Sequence, residues 1–164
     1  MSDLLCLGEP LCELNAQADG AFKAGFSGDV SNVAIAAARQ GTDVGLISLV
    51  GDDPFGADLG RLWQRENVCA DHVAIMRGQE TGIYFVFHIG NGHNFVYRRR
   101  GAAASQITAD DIPEAEIARA RIFYSFGIGL WVSKSLRAAA FHAASVAKQR
   151  GLTVAFDPNL RTAL

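Results

Sequence analysis

Between Phe26 and Gly56 the chain runs unbroken through a glycine turn, a small-residue helix, an apolar strand and a second, capped helix. The turn is Ser27-Gly28-Asp29, and the helix spans Val30 to Gln40, closed by Gly41 as a C-terminal cap. Val44 to Val50 is an apolar run of strand length. Asp53-Pro54 then supplies an N-cap and a proline in the first turn of a helix reaching Arg65. A strand apolar along its whole length needs cover on both faces, which places it in a parallel sheet flanked by helices. Ala34 to Ala38 let the first helix sit close against such a sheet.

The rest of the chain extends this pattern with one interruption. Leu4-Leu5-Cys6-Leu7, closed by Gly8, reads as a buried first strand, and residues 11–26 read as short strands or loops. From Asp71 to Arg100 the runs Val73–Met76, Gly82–Ile89 and Phe95–Arg98 read as strands joined by turns, with no useful helix between them. They are expected to pair locally and antiparallel. Alternation then returns: a helix near Asp110–Ala120, a strand Arg121–Phe126, an amphipathic helix Ser133–Arg150 and a strand Leu152–Phe156. The expected fold class is α/β, a parallel-sheet core with helices on both faces and a small antiparallel β insertion.

Composition narrows the function classes. With 164 residues, 49% of them hydrophobic and 20% charged, the chain suits one globular domain with a sizeable core. A net charge of -2 gives no reason to expect nucleic acid or an anionic membrane as partner. No apolar run approaches the roughly 20 residues of a membrane-spanning helix. The first residues carry neither a basic leader nor a cleavage site, so they read as a strand and not a signal peptide. Cys6, Cys12 and Cys69 show no paired spacing, which argues against a disulfide framework or zinc site and favours a reduced, cytoplasmic setting.

Nucleotide motifs are weak. The Walker A pattern is absent, and Gly127-Ile128-Gly129 lacks the third glycine of a dinucleotide fingerprint because Val132 holds that position. Gly127 and Gly129 read better as a strand end approached closely by a ligand or by neighbouring backbone. His72, His88, His93 and His142 form no ligand pair at helical spacing, and no metal site is expected. Arg98-Arg99-Arg100 reads as a solvated strand end, with one exception allowed by alternation. Arg99 shares a face with Tyr97, while Arg98 and Arg100 share the other.

The order of motifs resembles the ribokinase-like (PfkB) carbohydrate kinases. Gly8-Glu9-Pro10 follows the first strand as in sugar kinases of that group, and Ser27-Gly28-Asp29-Val30-Ser31-Asn32 is similar to the family's Gly-Gly-Asp-x-x-Asn turn. Leu49-Val50-Gly51-Asp52-Asp53-Pro54-Phe55-Gly56 is similar to its strand-to-helix sequence. Thr81-Gly82-Ile83-Tyr84, Tyr97 to Ser105 and Asp157-Pro158-Asn159-Leu160-Arg161 resemble the 2-keto-3-deoxygluconate kinase branch. Two positions depart from it: Ser27 replaces a frequent first glycine, and Arg98 a frequent second tyrosine.

The resemblance implies residues 1–164 are the N-terminal portion of one ribokinase-like domain, with lid strands drawn from about 11–26 and 71–100. The sugar would lie between the α/β core and that lid. Gly28, Asp29 and Asn32 would contact it, with Asp29 on its hydroxyls; Tyr84, Tyr97, Arg99, Ile128 and Arg161 map onto the branch's substrate pocket. Glu13 falls where many members turn an acid toward the sugar. The bland alternatives are that Asp29 caps the next helix and Asn32 only its own turn. Arg99 and Arg161 favour a sugar acid, because guanidinium binds carboxylate through two parallel charge-assisted hydrogen bonds. Kinases of neutral ketohexoses such as tagatose or fructose share much of the pattern, and a nucleoside kinase or a non-catalytic sugar-binding protein would keep the fold.

ATP and Mg2+ are implied as cofactors. The family's Gly-Ala-Gly-Asp motif, which supplies the base and an anion-stabilising helix N-terminus, occurs nowhere in residues 1–164. The catalytic base is therefore expected outside this chain, which alone should not turn over. A sheet ending at Leu152–Phe156 is expected to expose an apolar edge that needs a partner. The resemblance also implies a homodimer through lid strands between Gly82 and Arg100.

Overall fold

A computed structural model describes residues 2–90 and 92–159. Its core is a five-stranded parallel sheet in the order β5 (Val68–Met76), β4 (Val44–Gly51), β1 (Leu4–Leu7), β8 (Ile122–Phe126), β9 (Thr153–Asp157). A second, four-stranded sheet stands apart in the order β3 (Phe22–Ser27), β2 (Leu11–Ala16), β6 (Ile83–Ile89), β7 (Gly92–Arg98). The expected α/β class is therefore what the chain adopts.

Alternating residues of the core strands face opposite layers. Leu5, Leu7, Ile47, Leu49 and Phe123 pack against α5 (Lys134–Gln149) through its stripe Leu136, Ala139, Ala140, Ala143, Val146 and Ala147. Spacings of three and four residues put those side chains on one helical face. Cys6, Leu46, Val50, Tyr124 and Phe126 face the other way, onto α1 (Asp29–Arg39) and α2 (Pro54–Arg65) through Val30, Ala34, Leu59 and Trp63. Trp63 donates its indole N–H to Ser31 Oγ at 2.8 Å, so the two helices are joined by a buried hydrogen bond. All eight residues of β4 are buried, as its apolar run requires.

Three expectations need correction. Residues 73–76, expected in the small sheet, are the end of β5, which pairs parallel with β4 from Val44↔Val68 to Gly51↔Met76. The crossover that makes this parallel is α2 itself. The small sheet is also not wholly antiparallel: β2–β3 and β6–β7 are, but β2 and β6 pair parallel, from Cys12↔Ile83 to Asn15↔Val86. The helix expected near 110–120 shortens to a single turn, α3 (Glu114–Ile117), behind a 3-10 turn at Ala109–Asp111. Pro113, with no N–H to give, separates the two. The remaining helix, α4 (Gly129–Val132), leads into α5, whose N-cap Ser133 accepts from Leu136 N–H.

Asp53 locks the sheets to each other. Its Oδ1 accepts from Gly56 N–H at 2.8 Å as the cap of α2, and from Thr81 Oγ at 2.8 Å. Its Oδ2 accepts from Thr81 N–H at 2.6 Å, just before β6. Thr81 Oγ also accepts from Gly51 N–H at 3.0 Å. Partial burial raises the Asp53 carboxyl, but the N–H of Thr81, the N–H of Gly56, the Thr81 hydroxyl and the N–H of Phe55 together outweigh it and hold it below the ordinary value. The stabilisation is thus complete above an ordinary aspartate pKa of about 4 and is lost as pH falls through the depressed value. Asp53→Ala removes a helix cap and strands the buried Thr81, so a loss of about 2–4 kcal/mol is expected in urea unfolding at pH 7. An unchanged midpoint would show that the carboxylate is not the link between the sheets.

Candidate functional site

The core sheet winds outward from β1 in both directions, to β4 and β5 on one side and to β8 and β9 on the other. Between β1 and β8 the order reverses, and the carboxyl ends of strands at such a point leave a crevice suited to a ligand. A cleft of about 610 Å³ lies there. Its floor comes from Glu9 after β1, from Gly28 and Asp29 at the head of α1, and from Phe126 and Ile128 at the end of β8. Its roof comes from Tyr84 on β6, from His93, Asn94, Phe95 and Tyr97 on β7, and from Arg99 beyond it.

The glycine turn is forced by close packing. Gly28 has φ +98, and a Cβ there would come 2.5 Å from the Glu9 carbonyl oxygen and 2.8 Å from Pro10 Cα. Only glycine allows this conformation and this approach. At the opposite wall, a Cβ on Gly127 would collide with the Pro158 carbonyl, so that glycine admits neighbouring backbone, not ligand. Asp29 opens α1, and its Oδ2 accepts a hydrogen bond from Asn159 Nδ2. That contact ties the head of α1 to the chain just past β9. The helix cap is Gly28, with no side-chain cap bond, so Asp29 is not the N-cap.

The roof is aromatic and charged. Tyr84 and Tyr97 stack with centroids 5.6 Å apart, directly paired across β6 and β7. The Arg99 guanidinium lies 5.1 Å from the Tyr97 ring centroid. Tyr84 donates to Glu13 Oε2, and burial together with this bond pushes its phenol above the ordinary range. Arg99 is held from below as well: its Nε stands 3.3 Å from Glu9 Oε2. Glu9 is 1% exposed, and its Oε1 has no hydrogen-bond partner among the described residues. Burial pushes its carboxyl up to about 7, against the opposing pull of Arg99.

Gly28, Asp29, Tyr84, Tyr97, Arg99 and Ile128 thus line one cleft, while Arg98 and Arg100 are exposed as alternation requires. Glu13 reaches the cleft only through Tyr84. Asn32 is exposed, with its Nδ2 3.4 Å from Ser27 Oγ, a bond within its own turn. Arg161 lies outside the described residues. Sequence reasoning missed Glu9, His93 and Asn159 as parts of the site. His93 Nδ1 sits 3.1 Å from His88 Nδ1 across the β6–β7 hairpin, a proximity that strand register, not helical spacing, produces.

A doubly wound core whose crevice is roofed by a small sheet bearing stacked tyrosines and an arginine leaves a cleft with both apolar and polar walls. Residues 1–164 match the pfkB family carbohydrate kinase, and the chain belongs to that family. The chain is 36% identical over 173 residues to a 2-dehydro-3-deoxygluconokinase of Thermoproteus tenax, a match covering 100% of this chain and 52% of that protein. It is 33% identical over 145 residues to fructokinase-1 of Zea mays, covering 88% and 45% respectively. Among solved structures, a PfkB protein from Polaromonas sp. JS666 superposes with TM-score 0.94 at 32% identity, covering 100% of this chain and 58% of that one. A fructokinase with bound ATP from Xylella fastidiosa gives 0.92 at 27%, covering 100% and 51%. The chain spans about half the length of the relatives it matches.

A glutamate whose folded pKa is raised holds a proton that the unfolded chain would release. Its contribution is complete below an ordinary glutamate pKa and is lost as pH rises toward about 7. Thermal melts of the wild-type chain between pH 5 and pH 8 are therefore expected to fall more steeply than those of Glu9→Gln. Parallel profiles would show that Glu9 is not held in an unfavourable ionised state.

Proposed function

We propose that this chain is the sugar-binding half of an ATP-dependent kinase acting on a sugar or sugar acid of the 2-keto-3-deoxygluconate type. The observation that carries the reading is the convergence of Gly28, Asp29, Tyr84, Tyr97, Arg99 and Ile128 on one cleft at the reversal of strand order. The tyrosine pair offers an apolar wall to the C–H face of a sugar. Asp29, held by Asn159, accepts from hydroxyls, and Arg99 offers its remaining N–H groups to a carboxylate. A similar protein is named 2-dehydro-3-deoxygluconokinase, which supports an acid substrate.

A neutral ketohexose is the second reading, favoured by one feature: Glu9 already offsets part of the charge of Arg99. The fructokinase relatives agree with it. A homodimer through the small sheet fits the face opposite the cleft, where Phe22, Phe85 and Phe87 pack edge-to-face and stacked on one another and Phe22 stays 45% exposed.

In the reaction, ATP as its magnesium complex would supply the phosphoryl group, as the ATP-bound relatives suggest. The described residues that line the cleft suit a sugar, and none gathers into a group of three His, Cys, Asp or Glu that could hold a metal ion. We assign none of them to nucleotide or metal. This chain's part is to fix the orientation of the sugar and, with the roof lowered onto it, to exclude water from the hydroxyl that reacts.

Calorimetric titration with 2-keto-3-deoxygluconate and with fructose tests the assignment. Arg99→Ala is expected to weaken binding of the acid by roughly 10- to 100-fold, the worth of a charged hydrogen bond, with fructose binding little changed. Equal loss for both sugars would place Arg99 in the framework of the roof and not on a carboxylate. The chain alone is expected to release no ADP; steady release with either sugar would overturn its assignment as a half-site.

A further inference from the structure

The Glu9 side chain is enclosed and lines the cleft, with one oxygen against Arg99 and the other without a hydrogen-bond partner among the described residues. The enclosure is tight. A Cβ on Gly82 would come 3.3 Å from Glu9 Oε1, 3.4 Å from Arg99 Cβ and 2.7 Å from Leu11 Cδ2. Oε1 is too deeply covered for a sugar hydroxyl to reach, so Glu9 does not hold the sugar directly. What it touches is the cation that the proposed acid substrate would also use.

The other ionisable groups lining the cleft do not relieve it. Asp29 at the head of α1 is bonded to Asn159, Tyr84 on β6 donates to Glu13, and Tyr97 on β7 lies under the Arg99 guanidinium. His93 on β7 is engaged with His88. Asp53, near the start of β6, is committed to Thr81 and Gly56. Arg99 is the only one of these that pulls electrostatically on Glu9. Among the described residues, a substrate carboxylate and buried Glu9 would share the Arg99 guanidinium, and the two cannot both stay ionised there at low cost.

Resting on the reading of the cleft as a sugar-acid site, we propose that Glu9 is a positioning residue coupled to ligand charge. An anionic sugar takes over the Arg99 guanidinium and Glu9 takes up a proton from solvent, whereas a neutral sugar leaves the Glu9–Arg99 pair intact. The step is a proton transfer alone: the carboxylate becomes a carboxylic acid with no other bond made or broken. With burial already holding Glu9 near 7, little further push is needed to protonate it. The expected sign follows. Affinity for the acid falls as pH rises above about 7, by close to tenfold per pH unit, because each binding event must then draw a proton from solution.

The test is calorimetry of the chain at pH 8 in buffers of different ionisation enthalpy, with 2-keto-3-deoxygluconate and with fructose. The expected result is uptake of close to one proton per acid bound and none per fructose, with both uptake and pH dependence lost in Glu9→Gln. Carboxyl carbon NMR of the wild-type chain gives a reading that needs no variant: the Glu9 resonance should move to its protonated position on adding the acid at pH 8. Acid binding without proton uptake, or with an unmoved Glu9 resonance, would overturn the inference and leave the kinase reading standing. Uptake that persists in Glu9→Gln would also overturn it, by placing the proton on another group such as His93. Binding of fructose alone would overturn it together with the acid reading. Failure of both sugars to bind would remove the sugar-site reading, and the inference with it.

Discussion

Strand β1 is only four residues long, yet it hydrogen-bonds in parallel to β4 on one side and β8 on the other. Strand order reverses between β1 and β8, and the carboxyl ends of strands at such a point leave room for a crevice. The crevice is a consequence of that topology, and the residues that enter it are those that follow the two strands. Gly8 and Glu9 turn in from β1, and Phe126 to Ile128 from β8. The Gly28 turn closes in only because its backbone can press against the Glu9 carbonyl.

A roof that belongs to a separate sheet must still be registered with the floor, and polar contacts accomplish this. Asp53 reaches from the cap of α2 to Thr81 at the entry to β6, and Glu9 reaches from the end of β1 to Arg99 at the exit from β7. Both ends of the β6–β7 hairpin are thereby fastened to the core, while its tip, with His88 and His93, carries no such tie to the core among the described contacts. The hairpin is thus held over the cleft from its base. The ionisable character of the Glu9 tie makes this fastening sensitive to what binds beneath it.

The parts of the fold written in local pattern were legible. The apolar runs of β1 and β4, the Asp53-Pro54 start of α2, the Gly41 stop of α1 and the alanine-rich stripe of α5 each express one residue's or one face's chemistry. What escaped depends on distant pairing. The edge strand β5 carries polar residues such as Asp71 and His72 and leaves Ile75 67% exposed, so it read like part of a half-wet antiparallel sheet. The parallel pairing of β2 with β6 joins segments separated by α1, β4, α2 and β5, and nothing local encodes it. In the site, alternation singled out Arg99 from its neighbours, but Glu9 beside Pro10 gave no sign that it would be buried. Its role exists only because Arg99 arrives from the far end of the lid.

The most direct test of this account is where a sugar perturbs the chain. Amide shifts of isotope-labelled protein, followed through titration with 2-keto-3-deoxygluconate and with fructose, report every residue of the cleft at once. The account predicts changes gathered at Glu9, Gly28, Asp29, Tyr84, Tyr97, Arg99 and Ile128. Changes centred instead on the smaller cavity of about 170 Å³ beside Ser48, His72 and Pro113, or spread over the surface without a focus, would contradict it.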